Sequence, residues 1–151
     1  MAGIGGRFIP KNPKKYVGRS VGNIMFRSLW ELYFFKWLDS NDAVLRWGSE
    51  ELAIPYVSPL DNRVHRYFPD MIVMYRENTG LIKKEIIEIK PYKESVETPR
   101  MSPRDAQALM VYKAKWKAAA DWAERNGATF RVMTEKTLFK QKPAKQMGRA
   151  V

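Results

Sequence analysis

The feature that most constrains the fold is a pair of apolar, strand-like runs separated by a short turn. The first run, residues 71–75, follows Pro69-Asp70, and the second, residues 85–90, ends in Glu88-Ile89-Lys90. The residues between them include Asn78-Thr79-Gly80, and Asn and Gly tolerate the positive φ that a hairpin turn requires. The sequence therefore predicts two antiparallel neighbouring strands, with Asp70 beside the end that carries Glu88 and Lys90.

Charged residues in these apolar surroundings indicate a chemical site. Successive side chains of a strand point to opposite faces, so Glu88 and Lys90 share one face while Ile87 and Ile89 share the other. Carboxylates among apolar groups are costly to desolvate unless they serve one another or a metal. Asp70 and Glu88 could supply oxygens to a hard divalent cation, and the Ile89 carbonyl could add another. Lys90 could then orient a water or hold a phosphate, although a strand-end aspartate and a cross-strand ion pair are the simpler alternatives.

Composition narrows the classes of protein. A chain of 151 residues with 45% hydrophobic residues fits one domain with a real core. Its 27 Lys and Arg residues against 16 Asp and Glu give a formal charge of +11. This excess suggests an anionic partner, with nucleic acid as the first candidate, and a generally basic soluble surface is an equal alternative. The absence of cysteine excludes thiolate zinc sites and disulfides, and the single histidine, His65, excludes a multi-histidine metal site within one chain. No apolar run suits a membrane span or a signal peptide, so we expect a soluble protein of a reducing compartment.

The chain divides into three predicted segments. Residues 1–23 are rich in Gly, Lys, Arg and Pro and are expected to form an irregular basic arm, either lying along a phosphate backbone or a protein partner or simply disordered. Residues 24–140 are expected to form the single domain. Residues 141–151 are expected to be a loose basic tail.

Two helices are expected in the domain. Ser28 and Glu31 have the spacing of a capping box, and the apolar stripe that follows predicts a core-facing helix ending at residues 39–42. Glu31 lies at the edge of that stripe, so it could reach a buried site, although helix capping is the alternative. A second helix is predicted from Ser102-Pro103 to Asn126-Gly127. Its expected buried stripe consists of Leu109, Tyr112, Trp116, Ala119, Ala120 and Ala123.

The remaining segments are predicted from local pattern. Strands are expected at 44–47, 51–57, 64–75 and 128–134, the last parallel to the strand that ends at Lys90. Residues 91–101 are expected to be a loop. Four cations are candidates for contacts with DNA phosphates, with ordinary solvated side chains as the alternative: Lys93, Arg100, Lys113 and Lys117.

The order of these features resembles the PD-(D/E)xK nuclease superfamily. The matching residues are Glu31 on the first helix, Pro69-Asp70 and Glu88-Ile89-Lys90. The string His65-x-Tyr67-x-Pro69-Asp70 also resembles a motif of phage junction resolvases and transposon end-cleaving nucleases. Longer strings are similar to the head completion nucleases of contractile-tailed phages: residues 6–16, 27–31, 35–39, 50–56, 66–70 and 88–91.

The resemblance implies a fold and a set of roles. The fold would be mixed α/β (α+β), a restriction-endonuclease-like core with a mixed central sheet flanked by helices. The activity would be cleavage of DNA with Mg²⁺ or Mn²⁺. Asp70 and Glu88 would bind the metal, Lys90 would be catalytic, and Glu31 would be an auxiliary acid beside the metal. His65 would be a phosphate contact or general acid at the edge of the site, with a surface strand histidine as the alternative.

The resemblance also implies a setting. The family acts in virion assembly, on a head that has packaged its DNA, before or while the neck and tail are joined. The expected partners are DNA, held by its backbone without reading of bases, and head, portal or neck proteins. The expected location is the host cytoplasm during assembly, and the virion is possible. The alternative is an assembly factor without catalysis that clamps DNA at the portal or plugs a protein seam.

Overall fold

A computed structural model describes residues 5–138, except for the side chain of Leu138. In chain order its elements are β1 (Gly6–Phe8), a 3-10 helix (Pro13–Lys15), β2 (Ile24–Phe26), α1 (Leu29–Ser40), β3 (Val44–Ser49), β4 (Ile54–Val57), β5 (Val64–Tyr67), β6 (Met71–Arg76), β7 (Ile82–Ile89), α2 (Tyr92–Ser95), α3 (Pro103–Arg125), β8 (Thr129–Met133) and α4 (Glu135–Leu138). Among these described elements, no helix combines the length and apolar character needed to cross a membrane.

The central sheet has four strands in the order β3-β6-β7-β8. β6 and β7 form the predicted antiparallel hairpin, and Gly80 supplies the positive φ of its turn (91°). β8 lies parallel to β7 because α3 carries the chain back across the sheet before the next strand begins. The predicted mixed α/β fold, with a mixed central sheet flanked by helices, is confirmed.

Both faces of the sheet are covered, which explains the apolar runs of β7. Ile87 belongs to a core that includes Phe35 and Trp47, on the side of α1. Ile86, on the opposite face, packs in a second core with Ala119 of α3. Buried strands with two covered faces need apolar residues at successive positions rather than strict alternation. Glu88 follows the direction of Ile86 and therefore faces α3.

One predicted strand is divided in two. Residues 64–75 were expected to form a single strand, but β5 pairs with β4 in a separate two-stranded sheet, and β6 begins only at Met71. The break coincides with Pro69, which has no N–H to donate to a ladder. The preceding strand also begins later than expected, at Ile54. The break places Asp70 just before β6 rather than inside a continuous strand.

The ends of both long helices follow the predicted chemistry. The Ser28 hydroxyl accepts the N–H of Glu31 at 3.2 Å, and the Ser102 hydroxyl accepts the N–H of Asp105 at 3.1 Å. Gly127 provides a positive φ of 70° after α3. The predicted buried stripe of α3 is wrong at Ala120, which is exposed. The expected loop at residues 91–101 contains the short helix α2.

The described part of the basic arm, residues 5–23, packs on the domain. It is irregular as expected except at β1 and the 3-10 helix, which the sequence analysis did not predict. β1 pairs with β2, and Phe8 and Tyr16 are buried. The buried Asp39 carboxylate of α1 accepts the backbone N–H groups of Lys11 at 2.8 Å and Asn12 at 3.0 Å. The division of the chain at residues 23 and 140 stays a prediction, and the tail at 141–151 lies outside the described residues.

Lys15 closes the C-terminal end of α1. Its Nζ donates to the carbonyl oxygens of Leu38 at 2.8 Å, Asp39 at 3.0 Å and Asn41 at 2.8 Å. The last carbonyls of a helix have no partner within the helix, and a cation there also complements the negative end of the helix dipole. Burial lowers the pKa of Lys15, while the nearby Asp39 and Asp42 carboxylates oppose that change. The basic segment therefore stabilises the helix that carries Glu31.

We expect Asp39→Ala to release this segment. The substitution leaves two backbone N–H groups without their charged acceptor, which should lower the free energy of unfolding by about 2 kcal/mol. Denaturant titration measures the change, and limited trypsin digestion should cut sooner at residues 11–15. Glu124→Ala is the control because it removes an exposed acid from α3, which covers the other face of the sheet. Equal stability of the two variants would contradict the proposed role of Asp39.

Candidate active site

The two predicted acidic residues meet at the open end of the β6–β7 hairpin. Asp70 Oδ2 accepts the backbone N–H of Ile89 at 2.8 Å. The backbone N–H of Asp70 in turn points to Glu88 Oε1 at 3.3 Å. Each carboxylate is thus held by the backbone of the other strand. The hairpin register predicted from the sequence brings Asp70 and Glu88 together as expected.

Lys90 completes this arrangement. Its Nζ lies 4.0 Å from Glu88 Oε2, and the Lys90 and Glu88 side chains are only 17% and 12% exposed. The same Nζ lies 4.1 Å from the centre of the Tyr112 ring, within cation–π distance. The Lys90 backbone N–H donates to the Met133 carbonyl of β8 at 2.9 Å. The ammonium is therefore held between a carboxylate and an aromatic ring at the rim of the sheet.

The surroundings of Asp70 and Glu88 disfavour the ionised forms of both side chains. Burial raises the pKa of Asp70 well above its usual value, and the negative charge of Glu88 raises it further. Burial also raises the pKa of Glu88, although a hydrogen bond from Tyr67 and the charge of Lys90 oppose that change. The Tyr67 hydroxyl donates to Glu88 Oε1 at 2.7 Å. A cation between the carboxylates would remove the cost of holding two like charges together.

Glu31 takes part in the site through its charge and in the helix through a hydrogen bond. Its Oε1 accepts the N–H of Arg27 at 2.7 Å, so Glu31 reaches back to the helix start as expected, but to the residue before the N-cap Ser28 rather than to Ser28 itself. Burial raises the pKa of Glu31, and its charge helps to raise the pKa of Asp70. Within residues 5–138, no three acidic or histidine side chains close around a point suited to a metal. The role of Glu31 as an auxiliary acid stays a prediction.

Glu50 is a site residue that sequence reasoning missed. It follows β3 with a φ of 55°, an uncommon conformation for a residue with a side chain, and its N–H donates to the Asp70 carbonyl at 3.1 Å. Its carboxylate pairs with the Arg27 guanidinium through two contacts, one of them 2.7 Å between Nη2 and Oε1. Since β3 is far from β6 in sequence, only the strand pairing brings Glu50 to Asp70.

Lys115 is a second residue that the sequence did not single out. Its Nζ lies 5.6 Å from the centre of the Tyr67 ring and 5.8 Å from that of Tyr56. Burial raises the pKa of Glu88, and the positive charge of Lys115 partly opposes that change. A signal was present, because Lys115 is three residues after Tyr112 and so lies on the same side of the helix.

Two of the five predicted DNA contacts lie in a groove that shares the Tyr112 ring with Lys90. Lys93 and Arg100 line an open groove beside α3. The other three have acidic partners on the protein surface: His65 with Asp61 at 2.9 Å, Lys113 with Glu97 at 3.8 Å, and Lys117 with Asp121 at 3.3 Å. Exposed ion pairs are worth about 0–1 kcal/mol, so these contacts do not prevent phosphate binding. The DNA-binding role of all five residues stays a prediction.

Comparison with known protein families shows the class of protein to which this chain belongs. Residues 41–135 match the family described as TnsA-like endonuclease N terminal, a stretch of well over half the chain that contains Asp70, Glu88 and Lys90. This match agrees with the restriction-endonuclease-like core expected from the sequence. The fold and the family together define a TnsA-like endonuclease.

A curated relative narrows the class. The chain is 37% identical over 140 residues to the head completion nuclease of Enterobacteria phage T4, with 86% of this chain and 90% of the relative covered. The chain therefore belongs to the family of phage head completion nucleases. The resemblance drawn from the sequence strings is confirmed.

We expect Asp70→Asn to stabilise the protein in EDTA. Asn keeps an oxygen for the Ile89 N–H and removes one of two repelling charges, so the melting temperature should rise by about 2–4 °C, corresponding to ~1 kcal/mol. Because the folded-state pKa of Asp70 is raised, the native protein holds the proton more tightly than the unfolded chain. Stability is then lost as pH rises from the unfolded to the folded pKa. Asp70→Asn should weaken this pH dependence, whereas the exposed control Asp121→Asn should retain it in thermal melts.

Proposed function

We propose that this head completion nuclease hydrolyses DNA phosphodiester bonds with a divalent metal ion, Mg²⁺ or Mn²⁺, in the manner of PD-(D/E)xK enzymes. The observation that carries the proposal is the convergence of Asp70, Glu88 and Lys90 at one end of the β6–β7 hairpin. Two partly buried acids with raised pKa values, next to a lysine, lower the stability of the fold. A purely structural role therefore does not account for them. Membership of a nuclease family supports catalysis as the reason why these residues are kept together despite that cost.

The oxygen donors fit a hard cation. Asp70 and Glu88 would hold it together with the backbone carbonyl of Ile89. In an antiparallel ladder, the N–H and C=O of one residue point to the same neighbouring strand, and the Ile89 N–H points to Asp70. Extending the register from the Met71–Ile87 pair places Pro69 opposite Ile89. Proline has no N–H to occupy the Ile89 carbonyl, which supports that oxygen as a ligand.

The protein side chains then have distinct tasks. When bound, the cation neutralises charge on the scissile phosphate and lowers the pKa of a nearby water. Lys90, held by Glu88 and Tyr112, directs its ammonium to a non-bridging phosphate oxygen or to the attacking water. Tyr67 keeps the Glu88 carboxylate oriented and helps it to remain ionised. Glu31 would act as an additional acid at the edge of the site.

DNA would be held through its backbone. The net charge of +11 and the exposed cations around the site support binding that does not read bases and that weakens as salt rises. The proposed contacts are His65, Lys93, Arg100, Lys113 and Lys117. The described residues offer no aromatic strand platform of the kind that splayed RNA bases require, since most of their aromatic rings lie in the core.

The family also supports a place in assembly. The relative is named for head completion, so we propose action on DNA-filled heads, with head, portal or neck proteins as partners. The work would take place in the host cytoplasm or in the virion. Complementation separates cleavage from a purely structural clamp. A phage that carries Asp70→Ala and still produces full infectious heads would show that assembly does not need cleavage.

We expect Lys90→Ala to abolish cleavage while retaining DNA binding. Loss of a positioned charge in a partly dry site typically costs about 10²–10³-fold in rate, whereas the many other cations preserve affinity. Cleavage of a linear duplex in Mg²⁺ measures the first effect, and fluorescence anisotropy in EDTA measures the second. Lys36→Ala, an exposed lysine of α1, is the control. Cleavage by Lys90→Ala at the wild-type rate would refute the assigned role.

Tyr67→Phe should shift the pH dependence of cleavage. Without the hydroxyl that donates to Glu88 Oε1, the pKa of Glu88 rises further, so protonation should remove activity at a higher pH than in the wild type. The acid limb of the rate–pH profile should therefore move toward neutral pH, with little change on the plateau. Tyr75→Phe serves as the control. An acid limb that does not move would exclude a role for Tyr67 in keeping Glu88 ionised.

A further inference from the structure

A cationic groove adjoins the proposed catalytic centre. It has a volume of about 610 Å³ and lies between α2, the loop that follows it, and the first turns of α3. We call it the α2–α3 groove. Its charged and aromatic lining consists of Lys93, Glu94, Arg100, Arg104, Asp105 and Tyr112.

Tyr112 connects the groove to Lys90. The Tyr112 ring forms part of the groove wall, and the same ring lies 4.1 Å from Lys90 Nζ. A DNA strand whose phosphate lies at Lys90 would therefore reach the groove directly, because only the Tyr112 side chain separates the groove from Lys90. The ion pair between Lys113 and Glu97, 3.8 Å long, ties the loop that forms one wall to α3.

Lys115 adds a positive charge on the other side of Lys90, so that the groove continues as a track of side chains along α3. Arg104, Ala108 and Tyr112 are spaced four residues apart, and Lys115 follows three residues later, so all four share one side of α3. The distance along the helix from Arg104 to Lys115 is about 16 Å. Lys115 reaches the rings of Tyr56 and Tyr67 above Glu88. The track thus spans a few nucleotides, with Lys90 and Glu88 near the end formed by Tyr112 and Lys115.

The size and chemistry of the groove favour one strand over a duplex. A volume of about 610 Å³ is of the order that holds a small organic ligand, such as a nucleotide or two. Three cations and an aromatic ring are what single-strand grooves use to hold phosphates and bases. Glu94 and Asp105 reduce the net charge of the lining to one positive. These carboxylates can accept hydrogen bonds from base amino groups, and an unpaired base offers both N–H groups of its amino group, whereas a duplex leaves only one of them free.

We propose that the α2–α3 groove binds an unpaired DNA strand next to the scissile phosphate, so that the substrate is DNA with a single-stranded end or gap. The proposal rests on the proposed nuclease function and specifies its substrate. Arg100 and Arg104 hold the phosphates of the unpaired strand. The paired part of the DNA lies outside the groove, against the exposed cations of the surface.

Binding experiments without cleavage test the groove directly. The full chain in EDTA is titrated with a fluorescent single strand, a blunt duplex and the same duplex with a single-stranded overhang. The wild type should bind the overhang duplex more tightly than the blunt duplex. Arg100→Ala/Arg104→Ala should lose roughly tenfold in affinity for the single strand and the overhang, with a salt slope shallower by about 1.4, and change little toward the blunt duplex.

A matched double variant controls for charge. Arg76→Ala/Arg125→Ala removes two exposed arginines from the ends of β6 and α3 that lie away from the groove. It should weaken binding of all three DNAs by the same small factor. The inference is overturned if the wild type does not prefer the overhang, or if the groove variant weakens all three DNAs equally or none of them. Circular dichroism confirms that both variants are folded.

Cleavage in Mg²⁺ or Mn²⁺ separates this inference from the proposed function. If the wild type cleaves no DNA but shows the selective binding, the nuclease proposal fails and the groove assignment stands. If the wild type cleaves blunt and overhang duplexes equally, and the groove variant does the same, the nuclease proposal stands and the groove assignment fails. Faster cleavage near an overhang, lost only in the groove variant, supports both.

Discussion

The hydrogen bond from the Ile89 N–H to the Asp70 carboxylate is the contact on which the site depends. At 2.8 Å it takes the place of a ladder bond at the point where Pro69 ends the regular pairing of β6 with β7. At this point β7 is therefore bonded to the Asp70 side chain rather than to a backbone carbonyl of the neighbouring strand. The reciprocal approach of the Asp70 N–H to Glu88 fixes the second acid. The carboxylates of Asp70 and Glu88 lie close together because the hairpin register sets these two residues on adjacent strands at the same end of the hairpin.

Holding these acids costs stability, and the surrounding structure offsets that cost. Burial and mutual repulsion disfavour the ionised forms of Asp70 and Glu88. Tyr67 and Lys90 partly compensate Glu88, and the two apolar cores on either side of the sheet supply the general stability that the site draws upon. Such local conflict is expected at functional sites, where activity requires charges that folding alone would not select.

The N-terminal segment has a structural part in this scheme. It packs across α1 and β3, with Tyr16 against Trp47 at 4.8 Å between ring centres, and its backbone satisfies the buried Asp39. Lys15 binds the final carbonyls of α1. Since α1 carries Glu31, and Glu50 follows β3, the segment stabilises the two elements that bring these residues to the acidic side of the site. A basic composition here serves helix capping as well as any contact with DNA.

The sequence by itself determined the local features whose signals lie close together in the chain. The turn that contains Asn78 and Gly80 paired β6 with β7, Ser28 and Ser102 began the helices, and the longer sequence strings indicated the head completion family. Tertiary structure alone decided the rest. It broke the strand at Pro69, because β5 found its partner in β4 rather than in the central sheet. It also brought Glu50 and Lys115 to the acids and ordered residues 5–23, since contacts between distant segments arise from packing and not from local pattern.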